Sequence, residues 1–303
     1  IGIVAPAVCI DEQDLKMGAA VLEKMGFKTK IHPQCSLKHH CRAGTAKERA
    51  QAINEMFADT RIDGILCARG GSGAMRTEHH LDYDIIRKNP KVFCGYSDIT
   101  LLLHSLQKKA GLITYHGPIL RSFLDEDGLT LAHFADVMAG NKVSIDIPIP
   151  RLMKSGTAQG PLIGGNLSLL ATLLGTPDAP DTNNALLFLE DVNEEHYALD
   201  RILWHLKRAG KLENISGVIL GEMIDVRESK LDYGISVWQS VMELFADKNI
   251  PIVGNVPIGH GKRVLTLPMG VKATLHVSNK SASLTLAEPA TAHLIKEKTP
   301  ACD

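Results

Sequence analysis

Short apolar runs alternate with amphipathic helical stretches through the first third of the chain, and that alternation leaves few architectures open to it. Ile1-Gly2-Ile3-Val4-Ala5 has the make-up of a strand, and Asp11 to Met25 repeats apolar residues at helical spacing before stopping at Gly26. Lys28 to His32 follows as strand, Lys47 to Ala58 as helix, Gly64 to Cys67 as strand, Tyr83 to Lys88 as helix and Lys91 to Gly95 as strand. Strand and helix in turn build an α/β unit, an open and mostly parallel sheet covered by helices. Ligands of such sheets collect outside the carboxyl ends of the strands, which directs attention to the turns after Cys67 and Gly95.

The chain has 303 residues, enough for two domains that each bury a core. From Asp136 to about Ser155 the pattern turns extended and proline-interrupted, as in Val143-Ser144-Ile145-Asp146-Ile147-Pro148-Ile149-Pro150, and reads as a crossing between domains. Beyond it, Gly160-Pro161-Leu162-Ile163-Gly164-Gly165-Asn166 leads into an apolar helix ending at Leu174. Strands are expected at Ala185 to Leu189, Gly217 to Leu220, Pro251 to Val256 and Ala273 to Val277, with helices at Ala198 to Ala209 and Ser236 to Asp247. The expected division is a domain over 1–140, a linker over 141–159 and a second α/β domain, richer in strand, over 160–303. The tail from Leu294 to Asp303 is polar and is expected to be loose.

Lys and Arg (33) nearly cancel Asp and Glu (34), so no global field draws in nucleic acid or an anionic membrane, and a small-molecule partner is expected. No apolar run approaches the roughly 20 residues that span a bilayer. Cys9, Cys35, Cys41, Cys67, Cys94 and Cys302 are irregularly spaced, and several lie in strand-like runs, a pattern of reduced thiols and of a cytoplasmic protein. Ile1 already sits in a strand with no initiator methionine, which leaves room for residues upstream, a removed signal segment included.

Lys91-Val92-Phe93-Cys94-Gly95-Tyr96-Ser97-Asp98-Ile99-Thr100 runs from a strand straight into the helix Leu101 to Lys108. A serine there has its hydroxyl near the helix N-terminus, where unpaired N–H groups and the dipole stabilise a developing oxyanion. Capping a helix is the other ordinary use of such a serine, and both readings stay open on these residues alone. The motif is not the G-x-S-x-G of α/β-hydrolases, because Ile99 stands at the second glycine position. Ala68-Arg69-Gly70-Gly71-Ser72-Gly73-Ala74, after the preceding strand, is a tight turn whose glycines also let backbone N–H groups approach a ligand.

In the second half, Leu186-Leu187-Phe188-Leu189-Glu190-Asp191 ends an apolar strand on two carboxylates, and Ile258-Gly259-His260-Gly261-Lys262-Arg263 holds a histidine between glycines. A serine nucleophile needs a base to take its proton and a carboxylate to orient that base. Ser97, His260 and Glu190 supply those three types, from two domains, with the active site expected where the domains meet.

At these residues the sequence resembles the LD-carboxypeptidase family of serine peptidases, which also includes the microcin C self-immunity peptidases. The resemblance runs nearly end to end, through Ile3-Val4-Ala5-Pro6, Met56-Phe57-Ala58-Asp59, Arg69-Gly70-Gly71, Gly95-Tyr96-Ser97-Asp98-Ile99-Thr100, His116-Gly117-Pro118, Gly164-Gly165-Asn166-Leu167, Leu189-Glu190-Asp191 and Gly259-His260-Gly261. It implies a nucleophile at Ser97, a base at His260, a triad carboxylate at Glu190, and an oxyanion hole from the N–H groups of Gly71 and Asp98. It also implies a flavodoxin-like N-terminal domain with a parallel sheet, a β-rich swivelling C-terminal domain, a homodimer, and no metal or organic cofactor. The implied reaction releases C-terminal D-Ala from murein tetrapeptides by cutting an LD amide bond in cytoplasmic peptidoglycan recycling. Arg69, Gly70 and Ser72 are the expected substrate-binding residues, Arg69 as a cation for the terminal carboxylate. Two departures stand out: Ser72 replaces the aromatic that usually follows Arg-Gly-Gly, and Thr77-Glu78-His79-His80 is more polar than the family pattern.

Other readings are weaker. His39-His40-Cys41 and His79-His80 lack the spacing of a metal site, and Cys94 lies inside a strand where packing explains it. An immunity-type peptidase would want an aromatic to stack on a base, and the stretch from Pro150 to Gly160 holds no Trp. A non-catalytic muropeptide-binding protein would have no use for a serine, histidine and carboxylate together.

Overall fold

In chain order the first elements are β1 (Gly2–Val4), α1 (Glu12–Lys24), β2 (Lys30–Ile31), α2 (Ala46–Ala58), β3 (Gly64–Cys67), α3 (Ala74–Glu78), α4 (Tyr83–Lys88), β4 (Val92–Gly95), α5 (Thr100–Ala110), β5 (Thr114–His116) and α6 (Gly128–Met138). They are followed by β6 (Ser144–Ile147), β7 (Arg151–Lys154), β8 (Gly156–Asn166), α7 (Leu167–Leu173), β9 (Leu186–Val192), α8 (His196–Arg208), β10 (Gly217–Ile224), α9 (Val237–Leu244), β11 (Ile252–Val256), β12 (Leu267–Met269), β13 (Lys272–Val277) and β14 (Ala282–Leu286). The structure, a computed structural model, describes residues 1–124, 128–141, 144–147, 151–228, 232–289 and 291. The tail from Leu294 and the Pro148–Pro150 stretch lie outside the described residues.

The helix ends follow from their sequences. Asp11 caps α1 by accepting the Gln13 N–H at 2.8 Å, and Thr45 and Glu48 close a reciprocal capping box on α2. Gly111 ends α5 at φ +73, a left-handed conformation that glycine adopts without strain.

The chain gathers into two compact units, one built on Ile1–Lys142 with Leu265–Pro268, the other on Val143–Val264 with Met269–Ala287. The first unit's sheet has the order β12-β5-β4-β3-β1-β2 among the described residues. Its pairs β1–β2, β1–β3, β3–β4 and β4–β5 are all parallel. Read from β2, the order 2-1-3-4-5 is the flavodoxin-like one, with its switch point between β1 and β3. Strands β1, β3 and β4 are buried along their whole length, which is why they read as unbroken apolar runs. Between sheet and helix, Phe57 of α2 stacks on Phe93 of β4 with ring centroids 6.1 Å apart. Sequence pattern gave no strand over Leu267–Met269, yet these residues return from late in the chain to extend the sheet beyond β5.

The second unit's sheet has the order β6-β14-β13-β8-β9-β10-β11-β7. A parallel centre of β8, β9, β10 and β11 is flanked by antiparallel pairs on both sides. The stretch 141–159, which its prolines mark as a crossing, also supplies β6, β7 and the start of β8 to this sheet. Ser144–Ile147 alternates exposed and buried residues, as a half-covered edge strand does.

Candidate active site

Ser97 opens the short 3-10 turn Ser97–Ile99 that leads from β4 into α5. Its φ is +64, in the left-handed region that costs a residue bearing a Cβ about 1–2 kcal/mol. Helix α5 follows directly on this turn, with Ile99 at its N-cap position and no side-chain cap from that residue. The glycine loop after β3 is pressed against it. A Cβ on Gly70 would stand 3.0 Å from Ser97 Cβ and 3.3 Å from Ser97 Oγ. Gly71 has φ +109, and a Cβ there would stand 2.4 Å from Val8 Cγ2, so this position admits glycine alone. The loops after β1 and β3 are also tied by the Val8 N–H, which donates to Gly70 O at 3.3 Å.

Two buried charges fix the far end of this loop. The Asp98 carboxylate accepts the Ala74 N–H at 2.8 Å, at the start of α3. Burial pushes its carboxyl above the usual range, opposed by the Ala74 N–H and by the Arg49 and Arg42 guanidinium groups. Arg49, only 1% exposed, donates through Nε to Pro6 O at 2.9 Å and to Thr77 Oγ1 at 2.8 Å. Its Nη1 donates to Gly44 O at 2.5 Å and its Nη2 to Gly73 O at 3.3 Å. One guanidinium thus ties the ends of three loops to α3.

In the second unit, adjacent carboxylates of β9 point to opposite faces, as strand geometry requires, and have separate partners. Asp191 accepts from Asn166 Nδ2 at 2.9 Å, from the Ser168 N–H at 2.9 Å and from Ser168 Oγ at 2.8 Å, tying the start of α7 to β9. Burial raises its carboxyl, and the Ser168 hydroxyl is the largest opposing influence. Glu190, fully buried, takes His260 instead, with Oε2 2.7 Å from Nδ1. A carboxylate only accepts, so Nδ1 carries the proton and Nε2 is left as the acceptor nitrogen. The glycines around His260 have a steric reason. Gly259 has φ +92, and a Cβ there would stand 2.2 Å from Glu190 Oε2; one on Gly261 would collide with Glu222. A Cβ on Gly221 of β10 would stand 2.8 Å from Glu190 Cβ.

The expected site residues therefore fall into two groups. Ser97, Asp98, Gly70 and Gly71 come together in the first unit, and Glu190 and His260 in the second. Arg69 is exposed and donates to Cys9 O at 3.1 Å, while Ser72 accepts from Arg42 Nη2 at 3.3 Å. Cys94 is buried, its thiol directed to Pro118 O at 3.6 Å, and burial pushes the thiol far up, against thiolate chemistry. Among the described residues no group of three or more His, Cys, Asp or Glu side chains converges as a metal site. Nor is any of their helices long and apolar enough to cross a membrane. Sequence reasoning passed over Arg42 and Arg49. Arg49 left a trace, since it shares the buried face of α2 with Ile53, Met56 and Phe57, where an unpaired charge would not be tolerated.

Comparison with known proteins bears on both units. The LD-carboxypeptidase N-terminal domain matches residues 1–117 and the LD-carboxypeptidase C-terminal domain matches residues 159–275. A probable murein peptide carboxypeptidase of Bacillus subtilis is 34% identical over 287 residues, which cover 93% of this chain and 90% of that protein. The microcin C7 self-immunity protein MccF of Escherichia coli is 30% identical over 315 residues, covering 93% of this chain and 90% of that one. Among solved structures, the muramoyltetrapeptide carboxypeptidase from Oxalobacter formigenes matches with a TM-score of 0.86 and 29% identity, over 95% of this chain and 98% of that one.

Proposed function

The chain belongs to the LD-carboxypeptidase family, and we propose that it is a serine carboxypeptidase releasing C-terminal D-alanine from murein tetrapeptides. The observation that carries this reading is the 2.7 Å contact between buried Glu190 and His260, which prepares a base of fixed tautomer for a serine such as Ser97. The printed names of the Bacillus subtilis and Oxalobacter formigenes relatives support the substrate class. In this reading residues 1–140 carry the nucleophile, 160–303 carry the base and its carboxylate, and 141–159 joins them. The protein works as a cytoplasmic homodimer in peptidoglycan recycling.

The proposed reaction has two halves. His260 Nε2 takes the proton of Ser97 Oγ as the Oγ–carbon bond forms at the carbonyl of the LD amide. The oxyanion is held by the N–H groups of Gly71 and Asp98, and Glu190 balances the imidazolium in surroundings of low polarity. Collapse breaks the carbon–nitrogen bond, and the imidazolium proton goes to the amine of departing D-alanine. Water then attacks the acyl carbon, gives its proton to His260, and the serine regains its own as the acid leaves. Gly70, which abuts Ser97, and Ser72 and Arg69 of the same loop are the proposed substrate-binding residues.

The test is release of the terminal residue from murein tetrapeptides ending in D-Ala or L-Ala, and from a peptidyl nucleotide. Release from the D-Ala peptide alone is expected. Cleavage of the peptidyl nucleotide in its place would reassign the protein to an immunity-type role, and tight binding of the tetrapeptide with no turnover would make it a binding protein.

A further inference from the structure

A carboxypeptidase must distinguish a chain end from an internal residue, and the physical mark of a chain end is its carboxylate. The cation that reads it has to stand beside the loop that abuts the nucleophile. Open α/β sheets gather ligands at the switch point, here between β1 and β3, outside their carboxyl ends. The loops after those strands meet there through Val8 and Gly70. Arg42 joins the same edge, because it forms an isolated antiparallel bridge with Val8.

The Arg42 side chain lies across the glycine loop: a Cβ on Gly73 would stand 3.0 Å from Arg42 Cδ. Its Nη2 reaches Ser72 Oγ at 3.3 Å, a long hydrogen bond, and its Nε is buried with no partner. No carboxylate among the described residues forms an ion pair with it, and it is half-buried. The neighbourhood is already crowded with positive charge. Burial first, then Arg42 and Arg76, lower the Arg49 guanidinium, with the Asp98 carboxylate opposing them. A guanidinium with one long bond and no hydrogen-bonded carboxylate, whose field reaches Asp98 only at a distance and is opposed by neighbouring guanidinium groups, is well placed to take an anion, and fork geometry matches a carboxylate. Arg69 is less suited: its chain is exposed and its Nη1 is engaged by Cys9 O. Ser72, standing where the family pattern has an aromatic, is the residue that receives the Arg42 side chain on this loop.

We propose that Arg42, seated on Ser72 of the glycine loop, binds the C-terminal carboxylate of the peptide substrate and so sets the enzyme's preference for chain ends. The proposal rests on the carboxypeptidase reading above. Its test uses the full chain carrying Ser97→Ala, so that bound peptide is not consumed, and calorimetric titration with a murein tetrapeptide ending in D-Ala as the free acid or as the C-terminal amide. The acid is expected to bind more tightly. Adding Arg42→Gln weakens the acid about 10- to 100-fold, leaves the amide unchanged and erases the preference. Adding Arg69→Gln keeps the preference. If Arg42→Gln does not fold, Arg42→Lys, which keeps the charge but loses the fork, gives the same comparison with a smaller loss. A preference that survives Arg42→Gln, or one that Arg69→Gln removes, overturns the proposal, as does equal or absent binding of the two peptides. Preference for the acid by this protein, with no D-alanine released by the unmutated chain, would leave the anchor standing and refute the catalytic reading instead.

Discussion

Nδ1 of His260 lies 2.7 Å from Oε2 of Glu190, and the two residues are brought together by a strand end and a loop 70 positions apart in sequence. Glu190 closes the register of β9 against Asn166, the last residue of β8. Its carboxylate is fully buried, whereas the His260 side chain keeps 17% of its surface in solvent. The buried carboxylate thus holds a ring that is itself partly open to solvent. An orienting carboxylate of this kind fixes which ring nitrogen carries the proton.

Glu190→Gln keeps the shape but lets the amide donate to Nδ1, which favours the wrong tautomer. The expected loss in kcat is on the order of 10³- to 10⁴-fold with the melting temperature little changed. Steady-state kinetics beside a thermal melt checks this; a variant within tenfold of normal would remove Glu190 from the mechanism.

Gly259→Ala places a methyl group 2.2 Å from where Glu190 Oε2 now stands, at φ +92. The carboxylate or the loop has to move, and a displacement near 1 Å at a catalytic pair costs about 100-fold in rate. The expected outcome is that loss together with a lower melting temperature, read by the same two measurements.

Arg49→Met removes the donor to Gly44 O, one of the donors to Pro6 O and to Gly73 O, and one of the two cations acting on Asp98. Breaking a buried charge of this kind costs about 3–5 kcal/mol. Urea unfolding should show a loss of that size, with Arg49→Lys recovering part of it. A change below about 0.5 kcal/mol, typical of a surface site, would contradict the clamp.

His133 on α6 accepts the Thr266 N–H through Nδ1 at 3.1 Å, which requires the neutral ring. Burial lowers its pKa from the ordinary 6.5 to about 4, with Asp136 acting weakly the other way. The unfolded chain then binds more protons between those values, so stability is complete above pH 6.5 and is lost as pH falls toward 4. The loss amounts to roughly 3 kcal/mol at most. Urea midpoints measured across that range should decline in the natural protein and stay flatter in His133→Gln.

Much of this was legible in the sequence because buried parallel strands are unbroken apolar runs and their covering helices are amphipathic. Gly64–Cys67 and Val92–Gly95 are strands for that reason. The short strand Leu267–Met269 was not legible, since three residues with a central proline carry no periodicity, and such a segment is at home only on a sheet edge. The candidate site was legible where glycines announce unusual backbone, as around His260. It was not legible where a serine takes a positive φ, because residue type alone does not show that Ser97 is held left-handed. Nor does a pair of adjacent carboxylates say which one faces the histidine; strand alternation separates Glu190 from Asp191, and only the neighbouring loop decides the roles.

The central claim is that Ser97 attacks the LD amide bond, and the direct measurement is acid-quenched mass spectrometry of the protein mixed with a murein tetrapeptide ending in D-Ala, alongside D-alanine release. The account predicts a transient mass increase equal to the tripeptidyl acyl group, mapped to Ser97, and no adduct and no release in Ser97→Ala. D-alanine release undiminished in Ser97→Ala, or an adduct mapped to another residue, would contradict it.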